Sequence, residues 1–242
     1  MILRPAYHVR NGKRIEVSSR RTFVARQSNV RDTSMKRIAL YSTSIISCVL
    51  PVWVVMAMTA LLPRSSAAEP ALQVNPVVEK KVTRLPDGSL FWRVETFPTL
   101  AQAQAAAGPT GLAAEVAGRA WLFTLGAKGG SSPGATKVVE IGPVPPVAAP
   151  EYLLRINRAS GPPGAKTQVH THPGSEAFYV LAGKLGQKTP HGVSFAEAGA
   201  TMNGHGADMP MEVFSAGATD LDQLVMFVVD ASRPFSSPAK FD

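Results

Sequence analysis

The feature that most constrains this chain is a short segment holding two histidines, a turn and a glutamate. His170 and His172 are followed by Pro173-Gly174 and then by Glu176. Residues i and i+2 of a β-strand point to the same face, so the two imidazoles can aim at one point. The Pro-Gly step predicts a turn that brings Glu176 to the start of the next strand. Two imidazoles and one carboxylate form a ligand set for iron(II) that manganese, zinc or nickel also accepts, so the segment predicts one divalent metal ion.

The same residues resemble the first sequence motif of the cupin superfamily. Gly164, His170, His172, Glu176 and Gly183 stand at that motif's intervals. The resemblance implies an all-β fold, a cupin-like double-stranded β-helix or jelly-roll barrel, with the two histidines and the glutamate as metal ligands at its mouth. Apolar, strand-like runs continue the likeness on both sides of the motif. The remaining chain adds N-terminal strands and one short helix to this expected barrel.

The second cupin motif is incomplete in this chain. The position where the motif places its histidine holds Pro210, whose side chain cannot ligate a metal. His205 lies five residues earlier between Gly204 and Gly206, in a segment pliable enough to bring it to the metal. Three interpretations stay open. His205 is the fourth ligand, or three protein ligands are completed by water or substrate, or the site holds no metal and its polar residues form a buried hydrogen-bonded network.

The basic charge of the chain is confined to its first part. The net charge is +8, but residues 1–68 carry 11 Lys/Arg and 2 Asp/Glu, whereas residues 69–242 carry 14 and 15. The second part is therefore close to neutral and has no basic patch with interleaved aromatic residues. This distribution excludes nucleic acid as the expected partner.

Residues 35–68 have the organisation of a signal peptide. Met35-Lys36-Arg37 supplies a positive start, residues 38–62 an apolar run, and Ser66-Ala67-Ala68 a cleavage site of small residues. We therefore expect a periplasmic or secreted protein. The alternative is a membrane anchor formed by residues 38–62, since the run is long enough to span a bilayer. Residues 1–34 are expected to be a disordered arm or a mis-assigned start.

The chain beyond the leader is predicted to divide into three parts. These are a β-rich N-terminal extension (69–150), the barrel core (151–230) and an extended arm (231–242) that packs on its own barrel or on that of a second copy in a homodimer. Within the extension, two strand-like runs flank Asp87-Gly88 and predict a hairpin over residues 77–97. The Ala- and Gln-rich stretch from residue 99 to 107 predicts the short helix.

Two classes of function fit these features. The first is an exported, non-catalytic protein that binds a divalent metal, a small molecule or both in its barrel. It is favoured by the incomplete second motif and by the lack of a separate acid or base in a clear position. The alternative is a metal-dependent enzyme of oxygenase or isomerase type acting on a small polar organic molecule. The fold alone does not decide between them, because one barrel hosts many chemistries.

Overall fold

The structure is a computed structural model in which residues 69–241 are described. They fall within one unit of the chain, residues 63–242. The predicted arm over residues 1–34 and the predicted signal peptide over 35–68, with its alternative as an anchor, lie outside the described residues. Within the described part, no helix is long and apolar enough to cross a membrane.

The described chain is almost entirely β-structure, with one short helix. The helix, α1 (Leu100–Ala106), begins after Thr99, whose side-chain oxygen accepts a hydrogen bond from the backbone N–H of Gln102 and caps it. The strands are β1 (Gln73–Val82), β2 (Phe91–Phe97), β3 (Gly111–Val116), β4 (Arg119–Gly126), β5 (Thr136–Ile141), β6 (Tyr152–Gly161), β7 (His170–Thr171), β8 (Gly174–Ala182), β9 (Lys184–Thr189), β10 (Gly192–Glu197), β11 (Thr201–Asn203), β12 (Glu212–Ser215), β13 (Leu221–Asp230) and β14 (Ser237–Pro238). The predicted all-β class with one short helix is confirmed.

Two antiparallel sheets face each other to form a jelly-roll barrel. The first sheet has the order β1-β6-β13-β8-β11. The second contains β10-β9-β12 and continues to β7 and β14 through the bridges Lys166↔Phe214 and His170↔Met211. Strands adjacent in the chain, such as β7 and β8, thus lie in different sheets. Residues from both sheets face one shared interior.

The central strands of the first sheet are apolar on both faces, because each face is covered. On β13, Val225 and Phe227 point into the barrel, where they pack with Phe178 and Leu185 among others. Leu224, Met226 and Val228 point away from it and belong to a separate core. Strands that are buried on both faces have a continuous apolar sequence instead of alternating apolar and polar residues.

A second antiparallel sheet from the N-terminal part supplies the cover on the outer face. Its order is β3-β4-β2-β5. Trp92, Trp121 and Phe123 of this sheet are fully buried, and they share a core with Leu154 and Ile156 of β6. The extra N-terminal strands expected from the sequence therefore pack on the barrel instead of extending it.

The hairpin predicted over residues 77–97 is wrong. β1 pairs with β6 in the barrel, whereas β2 pairs with β4 and β5 in the N-terminal sheet. The Asp87-Gly88 turn is present, with Gly88 at a φ of 87°, but it joins two strands of different sheets. The apolar surface that β1 buries against β6, and β2 against β4 and β5, outweighed the preference of the Asp-Gly turn for a hairpin. Since β1 belongs to the barrel sheet, the barrel also draws on residues before 151.

The C-terminal arm packs on its own barrel. β14 pairs with β7, and the backbone N–H of Ala239 donates to the carbonyl of Val169 over 3.0 Å. The guanidinium of Arg155 lies 4.3 Å from the ring centroid of Phe235, a cation–π contact that fixes the start of the arm. Residues of the arm consequently form part of the barrel's inner wall.

Candidate functional site

The barrel interior contains a cavity of about 880 Å³. Its wall is mostly apolar, and the phenylalanines on it are Phe178, Phe227, Phe235 and Phe241. The polar side chains on the same wall include Asn157, His170, His172, Glu176 and Gln223. A large apolar cavity with a few convergent polar groups is the usual form of a small-molecule site.

The predicted metal-binding segment lies where the chain crosses from one barrel sheet to the other. His170 is on β7 in the second sheet, and His172 follows directly after that strand. Glu176 is on β8 in the first sheet, opposite Phe227 of β13. The Pro173-Gly174 step is the corner between the sheets, so the histidines and the glutamate reach the cavity wall from two sides. Gly174 is required there, because a Cβ would meet the carbonyl oxygen of Val228 at 2.3 Å.

The hydrogen bonds of the two histidines fix their tautomers. Nδ1 of His170 lies 2.8 Å from the carbonyl oxygen of Gln168, and Nδ1 of His172 lies 2.6 Å from that of Phe235. A carbonyl oxygen only accepts, so each Nδ1 carries the proton and donates it. In the neutral form of each ring the lone pair is therefore on Nε2. This backbone support on Nδ1 is typical of histidines that ligate metals.

The two imidazoles lie edge to face, and His172 is embedded among aromatic rings. The ring centroids of His170 and His172 are 4.9 Å apart. The centroids of Phe227 and Phe235 each lie 4.8 Å from that of His172. The pKa of His172 is lowered to about 4, mainly by burial and also by the nearby His170 and Arg155, against the raising effect of its bond to Phe235. His172 is therefore neutral at physiological pH.

Glu176 is buried and bound to a glutamine. It is 2% exposed, and its Oε1 accepts a hydrogen bond of 2.7 Å from Nε2 of Gln187 on β9. Burial raises the pKa of Glu176 to about 8, while the bond from Gln187 lowers it. Without a metal or another cation beside it, this carboxyl is protonated at neutral pH.

His205 lies beside His191, the other loop histidine. It follows β11, and its ring centroid is 6.4 Å from that of His191. Burial, and then the neighbouring His191, lowers the pKa of His205. It is absent from the described residues that line the cavity. The sequence left His205 open as a fourth ligand, and the structure places its ring beside that of His191.

The two histidines of the site have the chemistry of metal ligands, but the glutamate is not grouped with them as a third ligand. His170 and His172 present two prepared imidazole nitrogens on the same wall as Glu176. Over residues 69–241, however, no three His, Cys, Asp or Glu side chains gather closely enough to hold one ion. Glu176 faces Gln187 in this arrangement. The histidine pair is thus the part of the predicted site that the structure brings together.

The chain crosses at Pro173-Gly174 from one antiparallel sheet to the other, and the two sheets enclose one cavity. This arrangement identifies the type of barrel. The fold is cupin-like. Gly164 and Gly183, the expected turn glycines of the first motif, have backbone φ values of 81° and 74°, which glycine favours. At Gly183 a Cβ would also meet the carbonyl oxygen of Asp220 at 2.4 Å.

Comparison with known proteins adds solved structures with a similar barrel. No protein-family profile and no curated protein matches the chain. A cupin-like protein from Thermotoga maritima is 16% identical over 36% of this chain and 65% of its own, with a TM-score of 0.33. A protein with a double-stranded β-helix domain from Klebsiella pneumoniae is 17% identical over 36% and 75%, with a TM-score of 0.32.

An enzyme occurs among the similar structures. The DMSP lyase DddQ from Ruegeria pomeroyi is 18% identical over 36% of this chain and 43% of its own, with a TM-score of 0.31. The cupin-like chain therefore spans less than two thirds of the length of the Thermotoga and Ruegeria proteins. Likenesses of this extent carry no argument about activity.

Sequence reasoning missed three polar contributors to the cupin-like cavity. Phe235 acts through its backbone carbonyl, for which a sequence offers no signal. Asn157 and Gln223 lie on β6 and β13, 2% and 0% exposed. Gln223 interrupts the apolar run of β13 and is in phase with Val225 and Phe227. A polar residue on the buried face of such a strand was the signal available.

Proposed function

We propose that this cupin-like chain is a binding protein whose barrel holds a small molecule with a mainly apolar body, together with one divalent metal ion. The observation that carries the proposal is the cavity of about 880 Å³, whose largely apolar wall includes His170, His172 and Glu176. Its volume lies in the range of small-molecule sites. The described wall offers aromatic surface for the body of a ligand and polar groups for its orientation.

The metal part of the proposal is supported by the state of the two histidines. Both donate through Nδ1 to backbone carbonyls, and His172 is neutral at physiological pH. His172 therefore need not lose a proton before its Nε2 can bind a metal. His170 and His172 are the proposed nitrogen ligands, and Glu176 is the carboxylate that the motif supplies. A bound divalent cation supplies Lewis-acid chemistry to a polar group of the ligand.

The test of the metal part is metal content. The purified chain, expressed with iron, manganese, zinc and nickel available, is expected to contain about one equivalent of one of them. The double variant His170→Ala/His172→Ala is expected to contain none. His191→Ala/His205→Ala removes two histidines outside the cavity wall and is the matched control, expected to retain the metal. A wild-type protein without stoichiometric metal, or a control that loses it equally, contradicts this part.

The test of the small-molecule part is occupation of the cavity by a neutral apolar dye. N-phenyl-1-naphthylamine is expected to bind with increased fluorescence. Ala159 is buried on the cavity wall, so Ala159→Phe should reduce the affinity about 10-fold or more by filling space that the dye needs. The smaller Ala159→Leu gives a graded loss, and circular dichroism checks that both variants fold. Unchanged affinity in folded variants contradicts binding in the barrel.

A further inference from the structure

One buried side-chain amide on the cavity wall, that of Gln223, has no hydrogen-bond partner among the described residues. Gln223 is 0% exposed, and neither its Nε2 nor its Oε1 has a hydrogen-bond partner among residues 69–241. Leaving a buried polar group unpaired is costly, so buried side-chain amides are normally bonded. Among the residues that line the cavity, Gln223 is the one with buried polar atoms in this condition.

The other two buried amides nearby behave in the usual way. Asn157, also on the cavity wall, accepts a hydrogen bond of 2.9 Å at Oδ1 from Nε of Arg155. Gln187 donates from Nε2 to Glu176. Each of these two amides therefore has at least one hydrogen bond to a side chain of the barrel. Gln223 differs from them in having two free functions, a donor and an acceptor, on one planar group.

The surroundings of Gln223 are apolar and uncharged. On the neighbouring strands it lies opposite Ala159 and Val180, and the next inward residue of β13 is Val225. The adjacent charged pair, Asp222 and Arg158, bind each other at 2.8 Å and alternate to the opposite face of the sheet. A charged ligand group beside Gln223 would lose its hydration without gaining a counter-charge from these strand neighbours, which is costly.

Gln223 is also well separated from the histidine pair. Phe227, which contacts His172, lies four positions further along β13, a distance of roughly 13 Å along a strand. The cavity includes both positions. A molecule in it thus meets one polar anchor beside the histidines and a second at Gln223, with apolar wall between them.

We propose that Gln223 recognises the head group of the cavity's ligand, and that this head group is an uncharged carboxamide or lactam. Such a group both accepts from Nε2 and donates to Oε1, so it satisfies both free functions at once. A carboxylate accepts only and carries a charge, and a tertiary amide accepts only. This inference rests on the proposed binding function and specifies the class of ligand for the same cavity.

The test compares three ligands with one aromatic body, chosen because phenylalanines line the cavity. Naphthalene-2-carboxamide donates and accepts, its N,N-dimethyl derivative only accepts, and 2-naphthoate is charged. Isothermal titration to the full chain is expected to show that the carboxamide binds about 10-fold more tightly than the other two, because it alone can donate a hydrogen bond to Oε1 of Gln223. In Gln223→Met the advantage should disappear, because the side chain keeps its shape but loses both functions.

A stability measurement keeps the test independent of the ligands. Gln223→Met removes no internal bond, so its melting temperature should equal or exceed that of the wild type. Gln187→Met is the matched control and should melt lower, because it leaves Glu176 unpaired. A lower melting temperature for Gln223→Met shows a partner within the protein and overturns the inference.

The outcomes separate this inference from the function on which it rests. Equal affinities of the three compounds for the wild type, or an advantage of the carboxamide that persists in Gln223→Met, overturn the role of Gln223 alone. Failure of all three compounds and of the neutral dye to bind overturns the proposed binding function itself. A carboxamide preference that depends on Gln223 supports both.

Discussion

His172 and Phe235 are joined by a hydrogen bond of 2.6 Å from the imidazole Nδ1 to the backbone carbonyl. The bond connects the metal-motif segment to the C-terminal arm, 63 residues later in the chain. The arm thereby determines which nitrogen of His172 carries the proton. Removing the arm should therefore change the site without changing the barrel.

A chain that ends at Pro234 tests this dependence. We expect it to keep the β circular dichroism spectrum, because the arm adds only β14 to the sheets. Its metal affinity should fall about 10-fold or more, as the loss of such supporting bonds usually causes. Phe235→Ala keeps the carbonyl and removes only the ring, so it should retain most of the affinity. Equal losses in the two variants would show that the ring matters and the carbonyl does not.

Glu176→Gln should stabilise the metal-free protein at alkaline pH. The folded-state pKa of about 8 lies above the ordinary value of 4.5, so this carboxyl contributes full stability below about pH 4.5 and loses it as the pH rises through 8. Glutamine stays neutral and still accepts the bond from Gln187. The gain in unfolding free energy at pH 8 is on the order of 3 kcal/mol.

Urea unfolding between pH 6.5 and 8.5, with chelator present, measures this gain. The exposed Glu115→Gln is the matched control and should show no pH-dependent change. In metal-loaded protein the sign should reverse, because Glu176→Gln removes a proposed ligand. A variant that parallels the wild type at every pH contradicts the burial of an ionisable carboxyl at this position.

His205→Ala should leave metal affinity unchanged within about two-fold. The ring of His205 lies beside His191 and outside the cavity wall that carries the histidine pair. Titration of the chelated protein with zinc, read by competition with a colorimetric indicator, gives the affinity. A large loss in His205→Ala, with no loss in His191→Ala, would show that the loop brings His205 to the metal in place of the histidine missing at Pro210.

Gly204→Ala should destabilise the protein by about 1–3 kcal/mol, the usual cost of overpacking. A Cβ at Gly204 would lie 2.5 Å from Cγ of Glu176 and 2.7 Å from its carbonyl oxygen. Gly206→Ala is the matched control two residues away, where a Cβ would meet only Pro145 at 3.4 Å. Thermal melts of the two variants should differ by several degrees, and equal melting temperatures would contradict the close packing of this loop on Glu176.

The barrel was predictable because its signals lie in contiguous segments. The residues from His170 to Glu176 and the apolar run of β13 are each contiguous in the sequence, so both could be recognised without knowledge of the fold. The pairing of β1 was not predictable from its neighbours. Its partner, β6, begins at Tyr152, and the choice between it and β2 depends on surface buried far along the chain. The Asp87-Gly88 turn fits either outcome, so it could not decide between them.

The candidate site divides in the same way. The sequence identified the residues whose chemistry is specific, namely His170, His172 and Glu176. It could not identify the carbonyl of Phe235, because every residue has one. Gln223 is an intermediate case: its position within a buried strand was readable, but its lack of an internal partner appears only when the surrounding side chains are in place.

The alternation of β13 separates two kinds of change along one strand. Leu224, Met226 and Val228 face the core shared with the N-terminal sheet, whereas Gln223 and its inward neighbours face the cavity. Substitutions at the first set alter how firmly the protein holds together, and those at the second alter what it accommodates. Changing the cavity-facing residues of β13 would therefore alter ligand specificity, whereas the alternate residues would continue to maintain the stability of the fold.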